Sequence, residues 1–157
     1  MSDTPMDAAL ERLNQLTDQN YPVVYFDTTQ SVHIVELFRN FALISTKAIY
    51  HWLPESGMYR MDANHILIPN TQKPRQLLKT INDIAHFGIF LLSDFHEHAT
   101  ERENIELLKK MAAMQDVNPK TVVLLGNDIE IANDLKPFVA HIRHTNRSQD
   151  DGHKKAG

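Results

Sequence analysis

Cysteine is absent from the 157 residues. That excludes a disulfide framework, a thiolate zinc site and a thiol nucleophile. It fits a reducing compartment. Glycine is scarce, at five residues, and none stands in a phosphate-cradling loop or in a Gly-x-Ser-x-Gly nucleophile elbow. Basic charge is not in excess: the formal net charge is -4, which argues against a nucleic-acid binder with its usual basic face. No apolar run is long enough to span a bilayer, so no membrane partner is expected. The N-terminus, Met1-Ser2-Asp3-Thr4-Pro5, is polar and acidic rather than leader-like, and the expected location is the cytoplasm.

What remains is the composition of one soluble domain: 42% hydrophobic and 23% charged residues, in a length that can bury a proper core. Apolar periodicity alternates between two kinds of segment. Helical spacing predicts helices over about 5–18, 31–45, 73–85 and 100–115. In the second of these Val32, Val35, Phe38 and Ala42 share a face. Thr100-Glu101-Arg102-Glu103 has the form of a capping box opening the fourth.

Short continuous apolar runs predict buried strands at Val23–Phe26, Lys47–Leu53, Gly88–Asp94, Lys120–Leu125 and about Val139–His144. Met58–Met61 is expected to pair back as a hairpin, and His65–Ile68 reads as a strand or a buried loop. Strand–helix alternation predicts an α/β domain with an open, mainly parallel sheet and helices on both faces. Residues 1–145 would form this domain, and the polar stretch 146–157 a disordered tail or the start of a linker.

Ligands in such sheets bind at the C-terminal ends of the strands. The first end, Asp27-Thr28-Thr29-Gln30, has neither the glycines nor the lysine of a phosphate loop, and Asp27 would repel a triphosphate. The strand Ile89–Ser93 ends in Asp94, which either holds magnesium in the manner of a Walker B acid or caps the following turn. Phe95 stands where a hydrolytic glutamate would follow. Asp94, His96 and His98 alternate as a metal set would if the strand continued; loop histidines are the plainer reading in a chain with nine. Asn127, after Leu124-Leu125-Gly126, is either a γ-phosphate sensor or a turn residue. Asp27, Thr28, Asp94 and Asn127 are therefore the candidate ligand or degenerate nucleotide site. His51 and Trp52, with Phe95, are candidate interaction residues, the other reading being core packing. A Ser-His-Asp hydrolase is disfavoured because Ser93 lies inside a strand, and a receiver domain because Asp27 stands alone without a lysine after the last strand.

The order of these pieces is familiar: Tyr21-Pro22-Val23-Val24-Tyr25-Phe26-Asp27-Thr28, then Ile49-Tyr50-His51-Trp52, then Leu91-Leu92-Ser93-Asp94-Phe95-His96, then Thr121-Val122-Val123-Leu124-Leu125. Over about residues 8–145 the chain resembles the N-terminal domain of an uncharacterised AAA+ ATPase family of bacteria, cyanobacteria and algal plastids. The resemblance implies a three-layer RecA-like, P-loop-like sandwich with a five-stranded parallel sheet and a short hairpin, lacking a Walker A loop. It places Asp94 at the Walker B position and Asn127 at the sensor position. It implies a non-catalytic interaction or regulatory module that needs no cofactor and whose partner is an AAA+ ATPase, another copy or a client. The alternative is a residual nucleotide or small-ligand sensor, with or without a metal ion.

Overall fold

The computed structural model describes residues 5–144; the predicted tail at 146–157 lies outside the described residues. In chain order the elements are α1 (Pro5–Asp18), β1 (Val23–Asp27), α2 (Ser31–Ile44), β2 (Ala48–Leu53), β3 (Gly57–Arg60), β4 (Ala63–Leu67), α3 (Pro74–Asp83), β5 (Gly88–Ser93), α4 (Arg102–Ala113), β6 (Thr121–Gly126), a 3₁₀ turn at Lys136–Phe138 and β7 (Val139–Arg143). Among the described residues no helix is long and apolar enough to cross a membrane.

The seven strands form one sheet in the order β4-β3-β2-β5-β6-β1-β7. Five of them, β2, β5, β6, β1 and β7, pair in parallel. β3 and β4 are added antiparallel at one edge. The ambiguous segment near His65 is thus the edge strand. Thr71 anchors the hairpin: its hydroxyl accepts the Met58 N–H at 2.9 Å and donates to the Ile68 carbonyl at 2.7 Å, while its own carbonyl accepts the Trp52 indole N–H at 2.6 Å.

The central strands carry apolar side chains on both faces because both faces are covered. Val23, Tyr25, Val122, Leu124, Phe90 and Leu92 pack with α3 and α4 through Leu77, Ile81, Ile105 and Leu108. Val24, Phe26, Val123, Leu125, Ile89 and Leu91 pack with α1 and α2 through Leu13, Leu16, Ile34 and Phe38. Full burial of one such side chain stabilises the fold by about 1.5–3 kcal/mol, so the three layers hold one another in place.

Two local expectations are corrected. Val32, placed on the inner face of α2 by spacing, is 80% exposed, and Ile34, Phe38 and Ala42 form the buried stripe at i, i+4, i+8. α2 is apolar nearly all round, so periodicity alone leaves its rotation undecided. The capping box does not form either. α4 starts after Glu101 with no side-chain cap, and the Asn104 amide instead reaches back to the His98 carbonyl and the Glu101 carboxylate at 3.0 and 2.9 Å.

Candidate functional site

Where the connections of two adjacent parallel strands leave on opposite faces, a crevice opens at their carboxyl ends. Here those strands are β1 and β6. β1 continues into α2 on one face, while the segment after β6 packs Ile129 and Leu135 into the core of the other. Register brings Asp27 of β1 level with Gly126 of β6 and Arg143 of β7.

Hydrogen bonds from β6 and β7 hold the start of the β1–α2 connection, while an open recess of about 500 Å³ lies beside Thr29, Gln30 and His33. Only Thr28, Thr29 and Gln30 lie between β1 and α2. The Thr28 N–H donates to the Gly126 carbonyl at 2.9 Å, and the His144 N–H donates to the Asp27 carbonyl at 2.8 Å. The Thr28 hydroxyl, 2% exposed, accepts the Gln30 N–H at 2.9 Å and shares a 2.8 Å hydrogen bond with His144 Nδ1. Burial lowers the His144 pKa from its ordinary value, with His33 adding to the effect, so the neutral ring is the one that meets Thr28. The Asp27 carboxylate lies 3.2 Å from His141 Nε2 and 3.8 Å from Arg143 Nε. On the other side of the crevice the Tyr25 hydroxyl accepts the Ile129 N–H at 2.9 Å, and the Tyr25 ring stacks on His141 at 4.8 Å. Burial raises the Tyr25 phenol pKa; the Ile129 hydrogen bond opposes the rise and the Asp27 charge adds to it.

The four candidate ligand residues therefore separate into two places. Asp27 and Thr28 lie at the switch point, with Asn127 on the adjacent strand end; Asn127 is exposed and its amide reaches only Asp128, at 3.5 Å. Asp94 turns away after β5 with φ of 54°. It lines a separate cleft of about 450 Å³ that also involves Pro54, Glu55, Lys73, His96 and His98. His144 and His141, the residues that close the switch point, were not singled out in the sequence. Their signal would have been the pairing of β7 beside β1, a long-range contact that no local pattern carries.

Asp94, His96 and His98 do not make the expected metal set. Among the described residues no three His, Asp or Glu side chains are grouped to hold a metal ion. The strand ends at Ser93, so the alternation that would have aligned the three is lost. His98 Nδ1 is instead 3.7 Å from the Glu101 carboxylate.

The expected interaction residues are corrected as well. Trp52 and Phe95 are fully buried and His51 is 3% exposed, so none of them can anchor a partner on this surface. Trp52 and Phe95 meet edge to face at 5.7 Å. His51 joins three strands: Nδ1 is 2.9 Å from the Tyr59 hydroxyl and Nε2 is 2.8 Å from the Ser93 hydroxyl. Burial, with the Arg39 charge nearby, lowers its pKa to about 4. Ser93 and His51 resemble a nucleophile–base pair in spacing, but both are shut inside the sheet.

A family model described as the SpoVK-like AAA ATPase, N-terminal domain, matches residues 9–144. The "Uncharacterized AAA domain-containing protein ycf46" of Trieres chinensis is 24% identical over 132 residues, covering 82% of this chain and 26% of the relative. The chain thus spans about a quarter of the length of that curated relative. Among solved structures, a DNA replication initiation factor superposes with a TM-score of 0.52 at 9% identity, over 99% of this chain and 51% of that one. The structure of Drosophila ORC bound to DNA superposes with a TM-score of 0.50 at 11% identity, over 90% of this chain and 92% of that one. At these identities the two structures speak for the shared fold alone.

Proposed function

We propose a contact role for this chain, which belongs to the family of SpoVK-like AAA ATPase N-terminal domains: a non-catalytic interaction or regulatory module acting with an AAA+ ATPase. One observation carries the reading. At the crevice between β1 and β6, where a sheet of this type would hold a nucleotide, Thr28 bonds to Gly126 and His144 and Tyr25 bonds to Ile129, and the open recess beside Thr29 and Gln30 is lined by Glu36 and by no lysine. A triphosphate lodged between these strand ends would have to break buried hydrogen bonds, at about 1–3 kcal/mol for each polar group left unpaired. It would also meet the Asp27 carboxylate and find neither glycine amides nor a lysine to receive it. A domain that keeps the scaffold without that chemistry acts through its surface.

A second reading, a small-ligand sensor, is favoured by the cleft at Asp94. It lies at the carboxyl ends of β2 and β5 and carries both carboxylates and histidines.

Thermal unfolding with ATP, ADP and GTP, each with and without magnesium, separates the two. A ligand about 100-fold above its dissociation constant stabilises the folded state by about 2.7 kcal/mol. A flat response is expected. A magnesium-dependent shift that disappears in Asp94→Ala would refute the contact reading and assign the cleft to nucleotide.

A further inference from the structure

His144 ties the end of β7 to the start of the β1–α2 connection, and the matched family domain ends at this residue. Its backbone N–H donates to the Asp27 carbonyl at 2.8 Å, and its ring Nδ1 lies 2.8 Å from the Thr28 hydroxyl. Thr28 is 2% exposed and His144 6%, so the pair is shut away from solvent. The Thr28 oxygen already accepts the Gln30 N–H at 2.9 Å. Its O–H is the part left to give, and the neutral Nδ1 is the acceptor that takes it.

Protonation of the ring reverses that bond. An imidazolium has two donors and no acceptor, so the buried Thr28 O–H loses its partner, and among the described residues no other acceptor is bonded to it. The surrounding charges do not offset this. From α2, His33 opposes a second positive charge on His144, and Glu36 is exposed beside the recess that His33 lines. From β1, the Asp27 carboxylate already faces His141 and Arg143. Arg143 is also the ring's neighbour on β7. α1 packs on β7 as well, and its Glu11, Arg12 and Asp18 side chains are exposed. A ring that has left Thr28 therefore takes up a proton more readily than one that is bonded to it, and acid draws the pair apart.

We propose that the Thr28–His144 pair is an acid-released latch. With the ring neutral it holds the end of β7 to the β1–α2 connection beside the 500 Å³ recess; with the ring protonated the two segments come free together. The latch joins the wall of the recess to the end of the matched domain, so its release alters both at once. It rests on the regulatory side of the reading above and gives that regulation a trigger.

Amide hydrogen exchange of the 157-residue chain, followed by NMR between about pH 7.5 and about pH 5, tests it. The Thr28, Gln30 and His144 N–H groups all donate at the latch. Relative to the buried Leu91 N–H in β5, their protection should fall by up to about tenfold per pH unit below the ordinary histidine value. His144→Gln keeps a side-chain acceptor for Thr28 and cannot titrate, so its protection relative to Leu91 should not change with pH. His33→Gln should raise the titration midpoint of the His144 ring while leaving the latch closed at neutral pH. Protection that tracks Leu91 throughout, an equal fall in His144→Gln, or a His144 ring titrating at or above its ordinary 6.5 overturns the proposal. Should His144→Gln fail to fold, the wild-type ring titration and His33→Gln decide it. The nucleotide titration stands apart: a nucleotide response refutes the contact reading and leaves the latch, whereas a pH-independent latch leaves the contact reading in place.

Discussion

Lowering the pH should destabilise the fold through His51 in particular. The ring is buried and bonded to two hydroxyls, and its pKa falls from 6.5 to about 4, chiefly through burial and then through Arg39. The unfolded chain therefore binds a proton that the folded chain refuses throughout the window between those two values. The sign follows from linkage: stability is unaffected well above pH 6.5 and falls as the pH drops towards 4. For one group with these pKa values, the loss between about pH 7.5 and about pH 4.5 is about 2.5 kcal/mol.

Urea unfolding at both pH values, in the wild type and in His51→Gln, isolates this contribution from that of the carboxylates common to the two proteins. At the higher pH the variant should be less stable by about 1–2 kcal/mol, for imperfect replacement of two hydrogen bonds. Across the window it should lose about 2.5 kcal/mol less than the wild type. Parallel losses in the two proteins would refute the reasoning, as would a ring titrating near 6.5 by NMR. Either result would mean that His51 is solvated, as the surface-anchor expectation required.

Thr28→Val removes the hydroxyl that His144 and the Gln30 N–H share. It should cost about 1–3 kcal/mol in urea unfolding without creating nucleotide binding, which a thermal-shift series on the variant checks. Phe95→Ala should cost about 3–5 kcal/mol by chemical denaturation, as for other buried aromatics. An unchanged midpoint would show that Phe95 is displayed rather than buried.

The sheet was legible in the sequence because its parallel strands are buried on both faces. Val23–Phe26, Ile89–Leu92 and Val122–Leu125 had to be continuous apolar runs, and a run of that kind needs no knowledge of its neighbours to be read. The short polar turn after β1, lacking glycine and lysine, could likewise be read locally, because phosphate binding demands particular residues at particular spacings. Rotation was less legible. Spacing alone turned Val32 inward, because α2 has apolar residues on almost every side and only contact with β1, β5 and β6 selects Ile34 and Phe38. His51, Trp52 and Phe95 were ambiguous for the same reason: an aromatic at a strand end is equally suited to a core and to an interface until its surroundings are known.

Readable from the residues alone are the set of elements, the polar turn after β1 without glycine or lysine, and the resemblance that marks the chain's family. These depend on composition and spacing within a few residues. Long-range packing places β7 beside β1 and brings His144 to Thr28. It also buries His51 between Tyr59 and Ser93 and turns Asp94 into a cleft apart from Asn127. Each of these depends on strand order and side-chain packing between segments far apart in the chain, which local periodicity does not encode.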